Sequence, residues 1–200
     1  MSKKLMKLLI IGDILKISAF FLILFILSAL IGFYYYYSVN DNLMPLFKEI
    51  VRRVYQPESR LLTTVNIFIN NLTVTMFAFI GGITIIVPIL IVFINGFVFG
   101  FLIRYSIEST GLKLFIKGVL VHSIFELPAF FISAAIGFRI GITFALFLLD
   151  FLKENRLSKI ETVIRCVKEG IAIFVFIVIP LLLIAAISEV YITGYLMGIY

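Results

Sequence analysis

Long, unbroken apolar runs alternate along the chain with short polar connections, and the runs show no alternation of period two. Continuous Leu, Ile and Phe over about 18 to 20 residues is what a helix needs to cross a bilayer, whereas a barrel strand reads as about ten alternating residues. The pattern predicts an all-α, polytopic helical membrane protein with about five or six membrane helices, several broken at Pro or Gly, plus an amphipathic interfacial helix. A basic tail at 1–16 leads into a first membrane helix at 17–37. That run is too long for a signal-peptide core and has no A-x-A site, so it is expected to stay uncleaved. Residues 38–60 form a polar connection in which Leu43, Phe47, Ile50, Val51 and Val54 recur at helical spacing opposite Lys48, Glu49, Arg52 and Arg53. Such a stripe lies on the lipid surface or docks a partner, and the lipid surface is preferred. Further membrane helices are expected at 61–80 and 83–104, then a broken helix or helix pair at 113–152, a basic loop at 153–169 and a last helix at 170–191.

The breaks are read from Gly and Pro. Gly81 and Gly82 separate the second helix from the third, which contains Pro88; Pro128 and Pro180 interrupt later runs. Proline has no amide hydrogen, so Pro128 leaves the carbonyl of Ile124 without its helical donor and predicts a half-helix ahead of it. Gly96 and Gly100 lie four apart, as do Ala129, Ser133, Gly137 and Gly141, and small residues at that spacing let helix backbones approach closely. If 113–152 crosses once, the basic amino terminus and the basic 153–169 segment fall on one side, which satisfies the positive-inside bias. Five crossings with a cytoplasmic amino terminus are therefore preferred over a helix pair turning at Gly137.

Polar groups inside the apolar runs mark the candidate site. His122 and Glu126, four apart, share one helical face and can share a proton or a ligand. Asn70, Asn71, Asn95, Glu189 and Arg139 complete the candidate intramembrane polar set. Glu189 is expected near the His122 and Glu126 face. Arg139 lies thirteen residues beyond Glu126, about 20 Å along a straight helix, so it needs another partner or the interface.

Composition narrows the function classes. The chain is 62% hydrophobic with a mean hydropathy of +1.19, and its 14% of charged residues falls well below the soluble norm. The formal net charge of +6 suits anionic lipid headgroups, and without a basic cluster interleaved with aromatics it gives no reason for nucleic acid. Cys166 is the lone cysteine, so no internal disulfide forms and packing is its expected role. No cofactor is implied. A catalytic zinc needs about three protein ligands, and only His122, Glu126 and Glu189 offer themselves, without a second histidine, an H-E-x-x-H motif or a serine-nucleophile motif. The chain is therefore read as a non-enzyme.

Three stretches carry a resemblance: FINNLTVTMFAFIGGIT (Phe68 to Thr84) with Asn95 and Gly96, HSIFELPAFFISAAIGFRIG (His122 to Gly141), and AAISEVYIT (Ala185 to Thr193). In their order and spacing they resemble the stage II sporulation protein M family, with Ser123 standing where glycine is expected. The resemblance implies a multi-pass protein of the cell membrane. In spore formers the namesake acts with two wall-remodelling partners and serves as membrane anchor rather than hydrolase. Three functions are weighed as expectations. The preferred one is a scaffold for envelope partners, or for further copies of itself, in which the polar set is structural. The alternative is a transporter or channel in which the same groups line a route for substrate or protons. The minor alternative is an intramembrane metal-dependent hydrolase using His122, Glu126 and Glu189.

Overall fold

The computed structural model describes the backbone of residues 3–109, 111–150 and 157–197, with side chains throughout these except at 3–11, 114, 119, 120, 122, 150, 157–159 and 197. Within them the chain is helical with short connections: α1 Lys3–Tyr34, α2 Tyr36–Val54, α3 Arg60–Ile80, α4 Ile86–Ser109 and α5 Leu112–Asp150. The last helix, α6, starts as Leu157–Ile173, passes through a π-helical turn at Phe174–Val178, resumes at Ile179–Ile187, widens again at Ser188–Thr193 and closes with Gly194–Met197.

Among the described residues five segments are long and apolar enough to cross a membrane: Gly12–Tyr34, Arg60–Thr84, Ile86–Ser109, Ser123–Leu149 and Ile160–Leu196. Their outward faces carry large exposed apolar side chains, among them Ile23, Leu61, Phe77, Ile94, Leu149 and Phe176. In water such a surface would be untenable; in hydrocarbon it is the expected one.

Three stretches differ from the sequence expectation. The basic tail is helical from Lys3, and the basic 153–169 segment is helical from Leu157, each continuous with the adjoining span. The expected break beside Pro128 is absent: α5 runs 39 residues without interruption, about 58 Å and roughly twice the hydrocarbon thickness. Pro128 is exposed on the outer face of the helix. Pro180 interrupts less than expected because the π turn just before it re-spaces the carbonyls that its missing amide would have served. Pro88 sits in the first turn of α4, where an amide would have no helical acceptor anyway.

The break at Gly81 and Gly82 is real. These residues begin a 3-10 turn, Gly81–Thr84, and Ile85 follows at φ +63°. Thr84 closes the turn: its Oγ1 donates to the Gly81 carbonyl at 2.8 Å and accepts from the Val87 amide at 3.2 Å, capping α4.

Helix α5 is the central post, in contact with every other membrane helix. Its small-residue face, Ala129, Ser133, Gly137 and Gly141, is buried. A Cβ placed on Gly137 would stand 2.4 Å from the Ala78 carbonyl oxygen, and one on Gly141 would stand 2.0 Å from that of Gly82. The α3–α5 crossing is therefore backbone against backbone, pinned by Ser133 Oγ donating to the Thr75 carbonyl at 2.7 Å. A second such crossing joins α1 to α4, where Gly32, Gly96 and Gly100 face Phe97, Phe25 and Ala29. Rings of Phe21, Phe25, Phe131 and Phe138 fill the space between α1 and α5, with Phe21 and Phe138 edge to face at 5.6 Å.

Candidate functional site

The crossing of Gly82 with Gly137 and Gly141 closes the bundle near its amino-terminal end, while that of Gly32 with Gly96 and Gly100 holds α1 on α4 near α2. A cavity of about 570 Å³ lies between them, lined by α2, α3, α4, α5 and α6. That is the size of a small-molecule site. Helix α2 covers it. Its apolar stripe packs Tyr36, Val39, Met44, Leu43 and Phe47 against Phe101, Leu102 and Tyr105 at the end of α4, while Ile50, Val51 and Val54 border the cavity. The stripe expected to lie on lipid is thus turned largely onto protein, because the end of α4 offers a buried ring, Phe101, that needs covering. The opposite face of α2, with Asp41, Lys48, Glu49, Arg52 and Arg53, is exposed.

Polar ties hold both ends of this cover. At its start the Tyr37 hydroxyl donates to the Glu108 carboxylate, and Arg104 binds the same pair, its Nε donating to Glu108 at 2.8 Å and its Nη2 to Tyr37 at 3.2 Å. The guanidinium also lies over the Phe33 ring at 5.2 Å. At its end the Tyr55 hydroxyl donates to Glu189. Asn66 Nδ2 donates to the Val54 carbonyl at 3.2 Å, and the Gln56 backbone exchanges hydrogen bonds with Thr63 Oγ1.

Five residues of the candidate polar set line this one cavity: Asn70 and Asn71 from α3, Asn95 from α4, Glu126 from α5 and Glu189 from α6. Glu189 thus shares a chamber with Glu126. Among the described residues, Asn66 is the membrane-helix asparagine that bonds across to another helix. Asn95 Nδ2 donates to the Ile91 carbonyl of its own helix at 2.8 Å, and Asn70 Nδ2 to Asn71 Oδ1 at 3.2 Å. Glu126 is half-buried and makes no hydrogen bond or ion pair among the described residues. The His122 side chain lies outside the described residues.

Arg139 is elsewhere. Its Nη1 pairs with Glu169 Oε2 at 3.3 Å, near Asp13 and Lys16 at the amino-terminal end of the bundle. Helical rise alone places it about 20 Å from Glu126, and α5 does not fold back at Gly137. Among the described residues no group of three His, Cys, Asp or Glu side chains is placed to hold a metal ion.

Two cavity residues escaped the sequence reading. Tyr55 stands in a polar connection where nothing distinguishes it. Thr193 follows Glu189 by four positions, in the same widened turn Ser188–Thr193. The residue lines the cavity, and its Oγ1 is buried without a hydrogen-bond partner among the described residues. Wide turns of this kind recur at functional sites because they re-aim side chains and free backbone groups.

The sequence matches the family described as Stage II sporulation protein M over residues 21–194. Two uncharacterized proteins of Methanocaldococcus jannaschii are similar to it. One is 38% identical over 130 residues, covering 64% of this chain and 69% of that protein. The other is 27% identical over 182 residues, covering 87% and 79% respectively. No solved structure matches.

Proposed function

The chain belongs to the stage II sporulation protein M family, and from that premise we propose that it is a multi-pass membrane protein that binds a small solute in its intramembrane chamber, a transport-class role. The observation that carries this reading is how the polar groups are disposed. A structural network would join helix to helix through Asn and Glu, because unpaired polar groups in hydrocarbon are costly. Here the cavity-lining amides bond within their own helices, and Glu126 bonds to nothing described. Their remaining hydrogen-bonding capacity belongs to residues that line one chamber.

Among the described side chains, Lys16, Arg139, Arg165 and Lys168 lie toward the end away from α2. By the positive-inside bias that end is cytoplasmic, so the covered chamber faces the outer side. A second reading, the anchor for envelope partners that the family resemblance implies, is favoured by the exposed charged face of α2, which that orientation sets outside the membrane.

The test is thiol access. A cysteine placed at Asn95, or separately at Asn70, in purified folded protein should react with a small water-soluble methanethiosulfonate, while the buried Cys166 of the wild type should not. Lack of reaction at both positions would mean a dry chamber and would overturn the transport reading.

A further inference from the structure

We propose that the chamber takes an organic cation: an amine or quaternary ammonium compound with an apolar body. This rests on the chamber being a solute site, and it names the chemistry that site would select. Charge comes first. Two carboxylates, Glu126 and Glu189, line the cavity, and among the described residues no lysine or arginine does. Two carboxyl groups in one space walled by low-dielectric side chains ionise together only at a cost, and a cation bound between them removes that cost. Glu189 receives the Tyr55 hydroxyl, whereas Glu126 receives no described donor. An anionic solute would find no basic side chain here among the described residues.

The rest of the wall decides between a bare ion and a larger cation. A metal ion needs several oxygen or nitrogen ligands converging at about 2 to 2.6 Å, and no such group exists among the described residues. The cavity is far larger than any bare ion and is bordered by the rings of Phe25, Phe47, Phe99, Phe115, Phe130 and Tyr105. Aromatic faces attract alkylammonium groups through their quadrupole and give apolar substituents a surface to bury. A third, independent feature is Thr193, a cavity-lining residue about 94% buried whose hydroxyl has no described partner. A buried hydroxyl without a partner is uncommon, and turning the side chain toward the chamber would let a donor or acceptor on the solute satisfy it. Carboxylates to neutralise the charge, rings to hold the body and a hydroxyl and amides to orient it make a complete site for this class.

The experiment uses the cysteine at Asn95, with Asn70 as the second position, and compares two methanethiosulfonates that differ in charge, one ending in trimethylammonium and one in sulfonate. Each rate is divided by that of the same reagent at a cysteine replacing the exposed Glu58. After this normalisation the cationic reagent is expected to react at least about tenfold faster than the anionic one. Glu126→Gln combined with Glu189→Gln should bring the ratio to near one, while Glu49→Gln, on the exposed face of α2, should leave it unchanged. Equal normalised rates would overturn the cation assignment while leaving an accessible solute chamber. A preference that survives the double substitution would overturn the role of the carboxylates. Failure of both reagents at both positions would remove the chamber as a solute site and this inference with it.

Discussion

Replacing Gly100 by alanine asks whether the α1–α4 crossing is as close as the structure makes it. The new Cβ would stand 1.8 Å from the Ala29 carbonyl oxygen, 2.5 Å from its carbon and 2.8 Å from its Cα. Carbon and oxygen approach comfortably at about 3.3 Å, so the two helices must separate by roughly 1.5 Å. Neither side can rotate away, because both are backbone. Overpacking usually costs about 1–3 kcal/mol, and this geometry belongs at the upper end. Alanine returns about 1 kcal/mol through its better helix propensity, which leaves a net loss of about 2 kcal/mol. Gly12→Ala is the matched control: it lies in α1 with nothing within 4 Å of its Cβ position. It should gain up to about 1 kcal/mol from propensity alone. The predicted gap between the two variants is about 3 kcal/mol, equivalent to about 6–12 °C in melting temperature for a chain of this length. Thermal or detergent-induced unfolding of the purified protein measures it. If Gly100→Ala is as stable as Gly12→Ala, the close crossing is wrong.

Two further outcomes are expected. Arg139→Gln and Glu169→Gln should each destabilise the protein by about 1–3 kcal/mol, and a double-mutant cycle should return a coupling of about 1 kcal/mol, since the pair is mostly buried; zero coupling would contradict the ion pair. Tyr55→Phe removes the hydroxyl that ties the end of α2 to Glu189, and since a hydrogen bond to a charged group is worth about 1.5–3 kcal/mol, labelling of a cysteine at Asn95 should accelerate about tenfold or more. An unchanged rate would mean that α2 does not control entry.

How much of this was legible in the sequence depended on which interactions leave a one-dimensional trace. Membrane helices announce themselves by length and apolarity, so the spans were readable. Glycines at four-residue spacing were readable too, because few other demands place Gly96 and Gly100, or Gly137 and Gly141, inside a helix. Their partners were not, since lipid-facing and protein-facing sides are equally apolar and no amphipathic stripe records which neighbour a helix meets. The same ambiguity hid the role of α2, whose stripe suits a headgroup layer or the end of α4 alike. Pro128 misled because the cost of a missing amide depends on what surrounds it, and on the outer face of a long helix the chain continues past it. Arg139 could be excluded from the neighbourhood of Glu126 by helical rise alone, but its pairing with Glu169 joins two helices thirty residues apart and leaves no spacing signature. Polar residues within apolar runs flagged Asn70, Asn71, Asn95, Glu126 and Glu189. The volume between them was invisible, because a cavity is what side chains fail to fill.

The crossing of Gly82 with Gly137 and Gly141 has a consequence for traffic. Backbones this close, pinned by the hydrogen bond from Ser133 to Thr75, leave no room for a side chain or a solute between them. The bundle is therefore shut by main chain at that crossing, whereas α2 is held over the chamber by a handful of hydrogen bonds near Tyr37 and Tyr55. On the proposed solute-binding reading, entry would pass under α2, and exit the other way would require α3 and α5 to part. Occupancy would then follow the solute concentration on the α2 side, with throughput set by how often that crossing opens.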